Sequence, residues 1–100
     1  MKTSIECLED KLVATLSGEL DTAAAEATEQ ALQPLFDSKG KDIIIDCTEL
    51  EYIASIGLRI LLRILKQAKS VGSRVVLKNP NDTIREVLDM TGLASVFEFE

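Results

Sequence analysis

The stretch Asp42-Ile43-Ile44-Ile45-Asp46-Cys47 constrains the fold most. It is β-branched and continuous rather than alternating, which marks a strand covered on both faces and therefore central in its sheet. The rest of the chain must supply its neighbours and its cover. With 100 residues there is room for a single domain, 1–100, and a single core. A chain of this size buries roughly 60–70% of its unfolded surface, enough to fold alone but not to build a deep substrate cavity as well.

Upstream, residues 4–8 and 11–17 read as two strands joined by a turn at Glu9-Asp10. Ile5 and Cys7 alternate in the first, Leu12, Ala14 and Leu16 in the second, and Gly18 ends it. Asp21 or Thr22 is placed to cap an alanine-rich helix over 22–38 with Ala24, Ala27, Ala31, Leu32, Leu35 and Phe36 inward, and Ser38-Lys39-Gly40 stops it. After the central strand, Thr48–Ala54 reads as a short connection into a helix from Ser55 to about Ser70. Leu58, Leu61, Leu62, Leu65 and Ala68 recur there at helical spacing, with Arg59, Arg63 and Lys66 on another face. A strand over 74–77, a helix begun by a Thr83/Glu86 capping box and ended at Gly92, and a strand over 96–99 complete the chain. The order is β-β-α-β-α-β-α-β, with the helix-connected strands parallel and the crossovers right-handed.

Composition then removes whole classes of function. The net charge is −6, which disfavours nucleic acid and anionic membranes as partners. The charge is uneven, because Tyr52–Asn81 holds no acid but carries Arg59, Arg63, Lys66, Lys69, Arg74 and Lys78. An acidic shell with one basic helix suits a protein partner; a solvated helix face is the plainer reading. There is no Trp for base stacking and no His for a triad or a histidine metal site. Cys7 and Cys47 lie in apolar surroundings without CxxC spacing, so reduced core thiols are expected rather than a disulfide or a zinc site. No leader follows Met1, and every apolar run falls short of the ~20 residues that span a bilayer; a cytoplasmic protein is expected.

The sequence holds one decoy for catalysis. Asp46 at a strand end and Lys78 after the next strand look like a phosphoacceptor aspartate and its lysine. A receiver domain also needs an acidic pair after its first strand, and Glu9-Asp10 sits in a hairpin instead. The five glycines are isolated and make no phosphate loop. No catalytic constellation and no cofactor site emerge, so the chain reads as a binding protein rather than an enzyme.

Leu50–Leu62 is the informative segment, because it delivers Ser55 directly before a helix. A serine there has two uses. Its hydroxyl can cap the helix by accepting an orphan N–H, worth about 0.5–2 kcal/mol. Alternatively it can carry a phosphate, which free N–H groups and the helix dipole favour.

Three runs, one of them within this segment, resemble the STAS domain family, in particular the bacterial anti-sigma factor antagonists. Leu16-Ser17-Gly18-Glu19-Leu20-Asp21 is similar to the family's Gly-x-x-Asp signature. Tyr52-Ile53-Ala54-Ser55-Ile56-Gly57-Leu58-Arg59 is similar to its Asp/Ser-Ser-x-Gly-Leu core. Met90-Thr91-Gly92-Leu93, followed by Phe97, is similar to its C-terminal signature. Their shared order and spacing extend the resemblance over nearly the whole chain. It implies a compact α/β domain of STAS type, a mixed sheet with helices packed mainly on one face. A C-terminal helix common in the family is expected to be missing or vestigial.

The resemblance also implies a function. Such antagonists bind an anti-sigma factor that is also an ATP-dependent serine kinase, and are released when the serine matching Ser55 is phosphorylated; a serine phosphatase reverses the mark. Carried over residue by residue, the partner-binding set is Glu19, Asp21, Ala54, Ser55, Ile56, Gly57, Leu58 and Arg59. Ala54 stands where members often have an acid, and Ile56 where a small or polar residue often follows. Another member role, as an unphosphorylated binding subunit of a stressosome-like or lipid-transport complex, stays open. Asp21 can cap the first helix, touch a basic patch on the partner, or do both. Arg59, four residues after Ser55, can be solvent-exposed or neutralise a phosphate there.

Overall fold

A computed structural model describes all 100 residues, Met1–Glu100. The first two strands, β1 (Lys2–Cys7) and β2 (Lys11–Leu20), form an antiparallel hairpin, closed by Leu8 N donating to Lys11 O at 2.9 Å. Helix α1 (Thr22–Ala31) leads through a 3-10 turn, Gln33–Asp37, to β3 (Asp42–Ile53). Helix α2 (Ser55–Ser70), β4 (Val75–Lys78), α3 (Asp82–Met90), a 3-10 turn at Leu93–Ser95 and β5 (Glu98–Phe99) follow. The sheet order is β1-β2-β3-β4-β5, antiparallel between β1 and β2 and parallel thereafter. The predicted order of elements and the mixed sheet are both present.

The expected double cover of β3 is not. It is the middle strand of five, but burial alternates along it: Ile43, Ile45 and Cys47 are buried under the helices, while Asp42, Ile44 and Asp46 are half-buried on the other face. Ile44 keeps its β-branched neighbours because Val13 and Val76 flank it in register across β2 and β4. Three adjacent branched side chains shield one another without a second layer. A continuous apolar run therefore marked centrality correctly and cover incorrectly.

Other boundaries move for local reasons. Pro34 cannot continue an α-helix without losing a backbone bond, so the predicted helix over 22–38 divides into α1 and the 3-10 turn. Its inward stripe is Ala25, Thr28, Leu32 and Leu35; Ala27 and Ala31 are exposed and Ala24 is half-buried. A helix with alanines all round offers no phase until larger residues are weighed. Gly18 does not end β2 but adopts φ +101 within it, where the β2/β3 register slips, and the strand runs on to Leu20. Thr48–Ile53, expected as a connection, is the second half of β3. The N-cap of α3 is Asn81, whose Oδ1 accepts from Ile84 N at 2.8 Å, not Thr83. Strand β5 is two residues long, shorter than predicted.

The core is aliphatic and continuous from β2 through α2 to Leu88 of α3 and Phe97. Its largest single contributor is α2, which buries Leu58, Ile60, Leu61, Ile64, Leu65 and Ala68. Both cysteines are free. Cys47 is in the core, where burial, aided by the Asp46 charge, pushes its thiol up to about 12. Cys7, expected there too, is exposed near the hairpin turn.

Candidate functional site

The parallel pairing of β2 with β3 builds the site. Glu19 lies opposite Tyr52 and Leu20 opposite Ile53, and Ala54 N donates to Leu20 O at 2.9 Å. Both strands end there and both turn into helices, so Glu19–Asp21 and Ala54–Ser55 share one corner of the molecule. Two of the three signature runs meet at this point. The third, Met90–Leu93, ends α3 and opens the following turn, with Met90 80% exposed.

The two helix starts are finished differently. Asp21 is the N-cap of α1, and its Oδ1 accepts from Ala24 N at 2.9 Å. The capping role expected of Asp21 is thus present, and its second oxygen is left for other contacts. At α2 the N-cap is Ala54, extended at φ −88 and ψ 170, and no side chain caps the helix. Ser55 is the first helical residue and is exposed. Its hydroxyl does not perform the capping that a serine before a helix suggests. The reason is one residue of register: an N-cap must lie outside the helix, and Ser55 lies inside it.

Gly57 fixes how closely this turn approaches the sheet. A Cβ at Gly57 would stand 2.8 Å from Ile53 Cγ1 and 2.8 Å from Leu20 Cγ, closer than carbon atoms pack. Leu20 and Ile53 are the last residues of β2 and β3. The missing side chain lets α2 sit directly on both strand ends, at the corner where α1 also begins. Leu58 is buried against the same core. Gly57 and Leu58 are therefore not surface groups; they position the residues that are.

Ile56 is half-buried and lines a groove of about 370 Å³ between α1 and α2, with Ala25, Ile60, Glu26 and Arg59 among its walls. Arg63 lines it as well but is held there: its Nη1 donates to Glu29 Oε2 at 2.5 Å, and its guanidinium stands 5.6 Å from the Phe36 ring centre. Sequence reasoning placed Arg63 on a basic face but missed Glu29, because a cross-helix partner leaves no local pattern. It also passed over Glu51, which joins Glu19, Asp21 and Met1 around a hollow at the start of α1.

The aspartyl decoy comes apart. Asp46 is mid-strand on the open face of the sheet, and its Oδ1 accepts from Thr48 Oγ1 at 2.6 Å and Thr48 N at 3.0 Å. The hydroxyl bond chiefly holds its carboxyl below the ordinary range, with a smaller effect from the Lys78 ammonium. Glu9-Asp10 lies at the hairpin, near Asp42 rather than Asp46, since Lys11 pairs with Asp42. No group of three or more Cys, Asp or Glu side chains is arranged to hold a metal ion, and no helix is long and apolar enough to cross a membrane.

Comparison with known proteins agrees with this arrangement. A model of the STAS domain matches residues 2–100. BtrV of Bordetella bronchiseptica, whose name assigns it provisionally to the anti-sigma factor antagonists, is 33% identical over 97% of this chain and 84% of its own. The anti-sigma-B factor antagonist of Listeria monocytogenes is 29% identical over 100% of this chain and 90% of its own. Among solved structures, the anti-sigma factor antagonist SpoIIAA in its unphosphorylated form superposes with a TM-score of 0.82 at 26% identity, covering 99% of this chain and 88% of that one. The phosphorylated form of the same Bacillus protein superposes at 0.74, also at 26% identity, covering 99% and 91%.

Proposed function

The chain belongs to the STAS domain family, and on that premise we propose that it is an anti-sigma factor antagonist working by partner switching. Unphosphorylated, it binds an anti-sigma factor that is also a serine kinase and so frees a sigma factor in the cytoplasm. Phosphorylation at Ser55 ends the binding, and a serine phosphatase restores it. The protein itself catalyses nothing. The observation that carries this reading is the exposed, unengaged hydroxyl of Ser55 on an uncapped first turn.

A phosphate adds about 1.5–2 negative charges where free N–H groups and the helix dipole tolerate it, so the domain stays folded. At a closed interface the same charge is desolvated, and a penalty of about 3 kcal/mol weakens binding more than a hundredfold. Glu19, Asp21, Ala54, Ile56 and Arg59 surround Ser55 at or near the surface and form the contact face, while Gly57 and Leu58 fix its shape.

The test is incubation with ATP and each candidate anti-sigma kinase of the source organism, read by intact mass and by binding. Wild type should bind, gain one phosphate and then dissociate; Ser55→Ala should bind and gain none. A phosphate that persists in Ser55→Ala moves the switch elsewhere. Ala54 and Ile56, in place of polar neighbours, favour a second reading, an unphosphorylated STAS subunit in a stressosome-like or lipid-transport assembly. Retained binding to a non-kinase partner with no mass gain would select it.

A further inference from the structure

We propose that a phosphate on Ser55 is captured within the same chain by Arg59, and that this capture withdraws the guanidinium from the groove between α1 and α2. The inference rests on the reading of Ser55 as the phosphorylated residue and adds what happens to the surface afterwards.

Arg59 stands apart from the other arginines. Arg63 is paired with Glu29, Arg74 forms a two-point ion pair with Glu98, and Arg85 lies over the Phe99 ring at 4.0 Å. Arg59 is exposed and makes no ion pair, hydrogen bond or ring contact. It is four residues after Ser55 on the same helix, a spacing that brings Cβ atoms to about 5–6 Å. Helical side chains lean toward the N-terminus, so an arginine at this position reaches back over the first turn. Lysine would offer a point charge; the guanidinium offers a planar fork that matches two phosphate oxygens.

The charges around the site make the arginine necessary. The elements that meet at this corner bring acids with them: Glu19 on β2, Asp21 at the cap of α1, Glu26 and Glu29 on α1, and Glu51 in the second half of β3. Asp21 is engaged as a cap and Glu29 by Arg63, but all of them oppose a second charge on a phosphate. Arg63 is committed and Met1, with its ammonium, lies among Glu19, Asp21 and Glu51, which leaves Arg59 as the unpaired cation one turn along the helix from Ser55. Before phosphorylation Arg59 lines the groove beside Glu26 over a floor of Ala25, Ile56 and Ile60. After capture the groove keeps Glu26 and loses its free cation. A partner selected for a positively flanked groove would meet both a new anion and an altered groove.

Phosphoserine placed at residue 55 during synthesis tests this without any kinase, by phosphorus NMR titration of wild type, Arg59→Gln and Arg63→Gln. The second phosphate pKa should rise by about 0.2–0.7 units in Arg59→Gln, the equivalent of one exposed ion pair. It should move by less in Arg63→Gln, and the side-chain N–H signal of Arg59 should shift on phosphorylation in wild type. Equal pKa values in wild type and Arg59→Gln, or an equal rise in Arg63→Gln, would overturn the capture. Because the phosphate is built in, failure of every kinase to modify Ser55 would count against the proposed function alone. Melting of the unmodified Arg59→Gln protein, expected to match wild type, guards against a folding artefact.

Discussion

The first turns of α2 and α3 begin alike and end differently. Both follow parallel strands, and both have an extended residue before the helix. At α3 that residue is Asn81, which accepts from Ile84 N and also donates through Nδ2 to Leu50 O at 3.1 Å, tying the helix start to β3. At α2 it is Ala54, which contributes only its backbone. One helix start is closed by its own sequence and the other is held by packing from beneath, leaving its polar end open. The lesson is that an unfilled cap next to an exposed serine is more informative than a serine in a helix-start motif.

Four substitutions test that contrast. The largest effect is expected at Gly57, where the packing lies. Gly57→Ala should push the turn away from Leu20 and Ile53 and lower stability by about 1–3 kcal/mol of overpacking, less the helical gain of up to about 1 kcal/mol. Thermal melting should drop by several degrees, about 4–8 °C per kcal/mol for a domain of this size; an increase would mean the turn is not pinned by packing. Next comes the cap itself: Asn81→Ala should cost about 1 kcal/mol or more in urea unfolding. Ser55→Ala should stay within about 0.5 kcal/mol, the usual range for a surface change. Equal losses at the two positions would erase the difference between the helices. The one expected gain is modest. Ala54→Asp supplies the missing cap and should add about 0.5–1 kcal/mol, and the gain should shrink when Ser55 carries a phosphate, since both anions seek the same N–H groups.

Most of the fold was legible because its signals are local. The apolar stripe of α2 is long enough to state its own phase, and Gly92, at φ +76, ends α3 as a left-handed residue should. What the sequence concealed depends on neighbours. Residues 48–53 look like a loop because they mix charge with apolar positions, yet β2 pairs with them as far as Ile53. The β2/β3 register slips between Thr15 and Ser17 and again between Gly18 and Glu19, which breaks the alternation a reader relies on. At the site, Ser55 and Asp21 were found by motif, and Asp21's capping bond by residue type. The uncapped state of α2 was not, because a boundary shifted by one residue changes a cap into a first-turn residue. The Arg63–Glu29 pair, which leaves Arg59 alone, spans two helices and has no sequence signal.

The tight seat that Gly57 gives to α2 has a consequence for recognition. Ser55 is presented on a wound backbone, pressed against two strand ends, and cannot be drawn out into an extended thread without lifting the helix off Leu20 and Ile53. An enzyme that adds or removes a group there must therefore fit a contour rather than read a linear string. A free peptide spanning 50–62 would carry every residue of the motif and almost none of its shape. Selectivity would then lie in the match between two folded surfaces, which can drift together while the letters around the serine change.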